Sequence, residues 1–273
     1  MNIVKIYGGI GNQMFQYAFG KVLQQHGKDV AYDVSWHKDN TDVKYPRPFR
    51  LDKFQVEMNI HPFISKNPTI IEKRVGYNLT LFNMNDDYNF EGYWQWYNYY
   101  EKIISILQKE LQLKSECYTD EFLKLADEIM DCNSISIHVR RGDYQLHRKG
   151  AFRDLSAKYY FSAISELGIP NGRYYIFSDD IPWCKETFKQ VYFTKPITFV
   201  DLEDYLCFEL MKFCKHNIVT NSTFSWWAAV LNENAKKKVI CPLTFMGTSP
   251  EDSAEHRWPK EWIKIEDYAV YNV

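Results

Sequence analysis

From residue 134 onward, short apolar runs of strand length alternate with segments of helical period, and this rhythm leaves few folds open. Residues 134–140, 173–178, 197–200, 217–220 and 238–241 read as strands. Residues 156–167, 182–189, 203–214 and 223–231, lying between them, read as helices. Strands separated in this way by helices pair in parallel through right-handed crossovers. Ligands of such sheets lie beyond the carboxyl ends of the strands.

The amino terminus opens in the same style. Residues 2–7 read as a strand that runs into the turn Gly8-Gly9-Ile10-Gly11, and Asn12 is placed to cap a helix from Gln13. Met14, Ala18 and Val22 recur at spacing four beside Phe15, Phe19 and Leu23, a wide apolar face. A second strand follows at 29–34. Residues 40–100, with prolines at 46, 48, 62 and 68, yield no firm elements; helical patterns return at 98–113 and 119–130. The expectation is an α/β chain with a boundary near residue 130, giving domains 1–130 and 131–273.

Composition narrows the function classes. With 273 residues, 45% of them hydrophobic, the chain can bury one large core or two smaller ones. A formal net charge of −2 argues against general affinity for nucleic acid or an anionic membrane. No apolar run approaches the roughly 20 residues that span a bilayer, and the start MNIVKIYGG does not read as a signal peptide. The six cysteines form no CxxC pair and read as buried thiols of a cytoplasmic protein. Loose association with a membrane surface stays open.

Five segments carry chemistry. In Ile137-His138-Val139-Arg140-Arg141-Gly142-Asp143-Tyr144, period two puts His138 and Arg140 on one face of a strand end. An arginine there can grip a diphosphate through paired charge-assisted hydrogen bonds, with Asp143 bracing either arginine; an ordinary ion pair is the alternative. In the run from Thr220 to Trp227, small polar residues lead into a helix whose unpaired N–H groups suit a phosphate, with Ser222, Thr223 and Ser225 adding donors; plain capping is the alternative. Asp179 and Asp180 end an apolar strand, where they can accept hydrogen bonds from a guanine edge or ribose, or cap the helix led by Pro182. Gly8-Gly9-Ile10-Gly11-Asn12-Gln13 permits close backbone approach to a ligand but is not GxGxxG. The aromatic run from Tyr93 to Tyr100 can stack on sugars or fill a core, and core packing is the commoner use. Walker A, HExxH, GxSxG and Asp-x-Asp patterns are all absent. Neutralisation of a nucleotide diphosphate would then fall to arginine, hydroxyls and a helix start.

Together these segments resemble the bacterial α-1,2-fucosyltransferase family. The resemblance rests on Gly8 to Ala18, His138 to Tyr144, Phe177 to Cys184 and Asn221 to Trp227, with weaker echoes at Arg47 to Phe54, Gly92 to Gln95 and Trp262 to Ile265. It implies two Rossmann-like domains facing across a cleft, the GT-B arrangement, with the acceptor served mainly by the first and GDP-fucose held by the second. It also implies Arg140 on the diphosphate and His138 with Asp179 or Asp180 on the nucleoside. Ser222, Thr223 and Ser225 would lie at the phosphates, Asn221 and Arg141 would join the donor site, and Gly9, Gly11, Asn12 and Gln13 would reach into the cleft. The sequence departs from the family at Ala228-Ala229 and matches it poorly over 55–90.

The implied reaction is metal-free, inverting transfer of L-fucose to O2 of a galactose-containing glycan. Asp143 and His147 are the nearest candidates for a general base, and neither is singled out. The alternatives are a fucosyltransferase of another linkage and a non-catalytic GDP-sugar-binding protein.

Overall fold

The computed structural model describes residues 1–39, 46–72, 77–146, 154–192, 195–245 and 257–267. Contacts divide the chain into Met1–Lys114 and Ser115–Val273.

The first unit carries β1 (Asn2–Lys5), α1 (Ile10–Gln25), β2 (Val30–Asp33), the short α2 (Trp36–Asp39), β3 (Thr69–Ile71), β4 (Asn89–Glu91) and α3 (Ile104–Glu110). Its sheet has the order β2-β1-β4-β3, with every pair parallel. The chain steps from β1 to β2 on one side and later sets β4 on the other. The direction of winding therefore reverses between β1 and β4.

Helix α1 begins at Ile10, three residues earlier than expected. Gly8, at φ 79°, turns the chain sharply enough for Gly9 to serve as the N-cap. Asn12 is thereby inside the first turn, and its Oδ1 accepts from Gln95 Nε2 at 3.0 Å. Gly20 lets the helix approach β2: a Cβ there would lie 2.5 Å from the Tyr32 ring. The aromatic run of 93–100 largely fills the core. Trp94 stacks on Phe19 at 4.1 Å, and Trp96, Tyr99 and Tyr100 are buried.

The proline-rich stretch is tied down by isolated backbone bridges, Tyr32 with Ile60 and Phe54 with Leu113, and by side chains. Asn89 accepts from the Ile64 N–H at 3.2 Å and donates to the carbonyls of Ile64 and Asn67. In the expected helical stretch 98–113 only α3 is α-helical; 3₁₀ turns at Tyr97–Tyr99 and Glu101–Ile103 lead into it.

The second unit runs α4 (Asp120–Met130), β5 (Asn133–Val139), α5 (Gly142–Leu146), α6 (Ala157–Leu167), β6 (Gly172–Ser178), α7 (Ile181–Thr187), α8 (Lys189–Tyr192), β7 (Ile197–Val200), α9 (Asp204–Phe213), β8 (His216–Ile218), α10 (Thr223–Leu231), β9 (Val239–Pro242) and β10 (Ile263–Ile265). The order β10-β9-β8-β5-β6-β7 is parallel throughout. Here winding reverses between β5 and β8. Ile135, Ile137 and Val139 join the core formed with Tyr159, Ala163 and Leu167 of α6. Ser136, on the opposite face, accepts from Asn217 Nδ2 at 2.7 Å, and Asn217 Oδ1 accepts from Asn232 at 2.8 Å. This buried polar network ties β8 beside β5.

The division after Lys114 lies ahead of the expected boundary near 130. Helix α4 is the reason: its buried Phe122 meets Phe213 of α9, with ring centroids 6.2 Å apart. Among the described residues no helix is long and apolar enough to cross a membrane.

Candidate active site

The reversal between β5 and β8 marks the crevice where an open α/β sheet takes its ligand. Val139 pairs with Ser178, and Ile137 pairs with Ile218. Arg140, Asp179 and the segment 219–223 therefore emerge side by side at one edge of the sheet.

Arg140 is the centre of this edge. Its Nη2 donates to Asp143 Oδ1 at 2.6 Å, and its Nη1 pairs with Asp179 Oδ2 at 3.0 Å. Burial works against its charge, but Asp179 and then Asp143 outweigh burial, so the guanidinium holds its proton more firmly than usual. The bracing expected of Asp143 is thus directed at Arg140. Tyr144 completes the frame: its ring lies 5.6 Å from the guanidinium, and its hydroxyl donates to the Asn221 carbonyl at 3.1 Å. Burial pushes the Tyr144 phenol up to about 12, so it remains a neutral donor.

Arg141, expected at the donor, has its own set of partners. It stacks over Trp183 at 4.1 Å, and its Nη1 and Nε pair with Asp154 at 3.0 Å and Asp180 at 3.2 Å. Its backbone N–H donates to Asp179 Oδ1 at 2.9 Å, so Asp179 links both arginines. Asp180 is occupied twice, since its Oδ1 also caps α7 by accepting from the Trp183 N–H at 3.1 Å. The capping alternative holds for Asp180, and Asp179 faces Arg140.

His138 lies beneath this surface, 5% exposed, with its ring 5.2 Å from Phe224 and Nδ1 3.4 Å from Thr220 Oγ1. Burial, helped by Arg140, drops its pKa to about 3, so it is neutral in the working range.

At the start of α10, Ser222 is the N-cap and accepts from the Phe224 N–H at 3.4 Å. Ser225 is fully buried: its hydroxyl accepts from the Thr220 N–H at 3.2 Å and donates to the Ser222 carbonyl. It shapes the turn and does not face a ligand. Thr223 is the partly exposed hydroxyl of the run, and Asn221 is buried.

The glycine segment is in the first unit, at the end of β1. Gln13 is 0% exposed; its Nε2 donates to the carbonyls of Gly8 and Pro48, and its Oε1 accepts from the Arg50 N–H, all at 2.9 Å. All its amide groups are used to hold two loops together, which corrects its expected reach toward a ligand. Gly11 is buried in the first turn of α1, and a Cβ at Gly9 would meet only Arg47, at 3.6 Å. The glycine that the backbone requires is Gly8.

The contributions of Asp154 and Trp183 were missed, because their pairing with Arg141 spans 13 and 42 residues and follows no local pattern. His147 lies outside the described residues. Among the described residues no group of three or more His, Cys, Asp or Glu side chains could hold a metal ion.

Comparison with known proteins agrees with this architecture. The profile of glycosyl transferase family 11 matches residues 1–266. An Escherichia coli alpha-1,2-colitosyltransferase is 29% identical, with the match covering 97% of this chain and 98% of that protein. The Escherichia coli O-antigen biosynthesis glycosyltransferase WbnK is 28% identical over 86% of this chain and 91% of its own length. Among solved structures, the NodZ alpha-1,6-fucosyltransferase soaked with GDP-fucose has a TM-score of 0.51 at 16% identity, covering 84% of this chain and 91% of that one. A mutant of Arabidopsis thaliana FUT1 in complex with GDP has a TM-score of 0.54 at 12% identity, covering 94% of this chain and 75% of that one. At these identities the structural likenesses speak to the fold alone, an α/β fold of the GT-B type. Full-length agreement in sequence, on a pair of parallel sheets with an arginine at one switch point, makes the chain a glycosyltransferase belonging to glycosyl transferase family 11.

Proposed function

We infer that this glycosyltransferase moves L-fucose from GDP-fucose to O2 of a galactoside in an oligosaccharide or polysaccharide repeat, with inversion. The observation that carries the reading is Arg140, held by Asp143 and Asp179 at the β5–β8 switch point beside the start of α10. In this reading the second unit binds the donor and the first serves the acceptor. The acceptor oxygen attacks C1 of fucose from the face opposite GDP. The C1–O bond breaks with its electron pair going to the β-phosphate oxygen, and the acceptor proton leaves to a base or to water. The transition state resembles an oxocarbenium ion, as in glycoside hydrolysis. Its difficult feature is the negative charge growing on the diphosphate. Arg140 and the N–H groups at the start of α10 are preorganised to meet that charge without a metal. Their directions are set before substrate arrives, Arg140 by its two carboxylates and the α10 start by the Ser222 cap.

A second reading is favoured by the colitosyltransferase relative: the donor sugar is colitose, a fucose lacking the 3-hydroxyl. The same groups on the diphosphate would serve both donors, so competition between the two GDP-sugars decides it. The first test is GDP release from GDP-fucose with and without lactose, in the presence of EDTA. Lactose-dependent release supports a metal-free transferase acting on a galactoside, and linkage analysis of the product then tests the α-1,2 assignment. Failure to bind GDP-fucose at all refutes the reading.

A further inference from the structure

The two sheets reverse their winding at comparable places, yet the chemistry at the two reversals differs. In the second unit the β5–β8 edge carries Arg140 and its carboxylates. In the first unit the β1–β4 edge carries rings. Tyr7 follows β1 and Tyr93 follows β4, and their ring centroids are 4.9 Å apart at an interplanar angle of 48°. Trp36, after β2, also meets Tyr7, with ring centroids 6.2 Å apart. The strand ends beneath are charged, but Lys5 and Glu91 pair across β1 and β4 at 2.9 Å and offset each other. A diphosphate gains little here, while a neutral ring with an apolar face and hydroxyl edges gains both stacking and hydrogen bonds.

The loop is built to present Tyr93. Trp94, a bulky residue, has φ 55°, a conformation such side chains rarely adopt. Glu72 holds it there by accepting from the Tyr93 and Trp94 N–H groups at 2.7 and 2.8 Å. Gly92 makes this approach feasible, since a Cβ there would lie 2.4 Å from Glu72 Cβ. Trp94 is consequently buried against Phe19, while Tyr93 is left 43% exposed. Tyr7 is fixed from behind, its N–H donating to Gln16 Oε1 at 2.9 Å. Burial first, then Tyr93, Glu91 and Glu72, raise the Tyr7 phenol well above its ordinary value, and burial and Glu72 raise that of Tyr93. Both stay neutral hydroxyl donors.

We propose that Tyr7, Tyr93 and Trp36 form the acceptor platform of this enzyme, stacking on the apolar C3–C4–C5 face of a β-galactoside. The inference rests on the glycosyl-transfer reading above and adds to it the residues that select the acceptor. Lys5 and Glu91, partly exposed at the strand ends, are placed to meet its hydroxyls.

The test is saturation-transfer NMR with methyl β-galactoside and the GDP-bound full chain, beside acceptor KM measured at saturating GDP-fucose. The expected result is strong saturation of galactoside H3, H4 and H5 that falls at least fivefold in Tyr93→Ala and in Trp36→Ala. Acceptor KM rises about tenfold in both variants while GDP affinity is kept, and Tyr93→Phe retains most of the binding. No saturation with the unaltered chain, or equal saturation in both alanine variants, overturns the platform. Galactoside binding without turnover of GDP-fucose overturns the donor assignment and leaves the platform standing. Turnover with unaltered acceptor KM in both alanine variants does the reverse.

Discussion

Replacing Arg140 by alanine is the sharpest test of the donor site. Two of its guanidinium nitrogens bind carboxylates, Nη2 on Asp143 and Nη1 on Asp179. In the proposed reading, removing it takes away one preorganised donor to the leaving diphosphate; it also leaves two acidic side chains without their shared cation. Loss of one such donor costs roughly 3–4 kcal/mol in the transition state, about 10²–10³ in rate. The rate should fall by at least that much, since the two freed carboxylates also repel the diphosphate. Folding suffers less. Arg140 and both partners are partly exposed, with side-chain exposures of 19–26%. The stability loss should therefore fall between the ~1 kcal/mol of an exposed pair and the ~3–5 kcal/mol of a buried one. Arg140→Lys should also lose at least about tenfold, because a single ammonium cannot reproduce the planar fork that spans both carboxylates. The assay is GDP release under saturating donor and acceptor, with circular dichroism melts to confirm folding. A folded Arg140→Ala protein that keeps more than a third of wild-type turnover refutes the assignment.

Asp143→Asn separates bracing from proton transfer: turnover should drop about tenfold as Arg140 loses a partner, with the acidic limb of the pH–rate profile unmoved, whereas loss of that limb would make Asp143 the base. Gln13→Leu should lower stability by roughly 2–4 kcal/mol, because it strands the Gly8 and Pro48 carbonyls and the Arg50 N–H; an unchanged melting temperature would return Gln13 to the ligand-facing set. His138 makes stability depend on pH. An unfolded histidine takes up a proton near pH 6.5, while the folded one resists until about pH 3, so the unfolded chain binds more protons in that window. Stability should therefore fall on acidification from 6.5 toward 3 by up to ~1.4 kcal/mol per pH unit, and His138→Gln should flatten that part of the curve in urea titrations; equal slopes would mean that the folded histidine titrates normally.

Strand and helix periods are local properties, and where burial follows them they can be read directly. The second unit shows this: β7 and α10 occupy the expected residues and the other expected elements shift by at most a few positions, while α5, α8 and the edge strand β10 were not anticipated. Period two along β5 likewise puts Ile135, Ile137 and Val139 in one core, with His138 on the other face, buried against Phe224. The first unit was less legible because β3 and β4 are three residues long and the segment leading into β3 is held by side-chain bonds from Asn89.

Sequence alone determined the alternating elements, the place of Arg140 at a strand end and the helix start at Ser222. All of these follow from interactions within a few residues. Tertiary structure decided strand order, and with it which strand ends meet at a switch point. It also gave two adjacent arginines different partners, Asp143 and Asp179 for Arg140 but Trp183, Asp154 and Asp180 for Arg141. The same holds for Gln13 and Ser225, polar residues in site-like motifs that turn inward, and for Tyr7 and Tyr93, common core residues that meet at an edge. The physical reason is that a side chain's role depends on which hydrogen-bond partners and rings surround it. Those partners lie up to 86 residues away, beyond the reach of any local pattern.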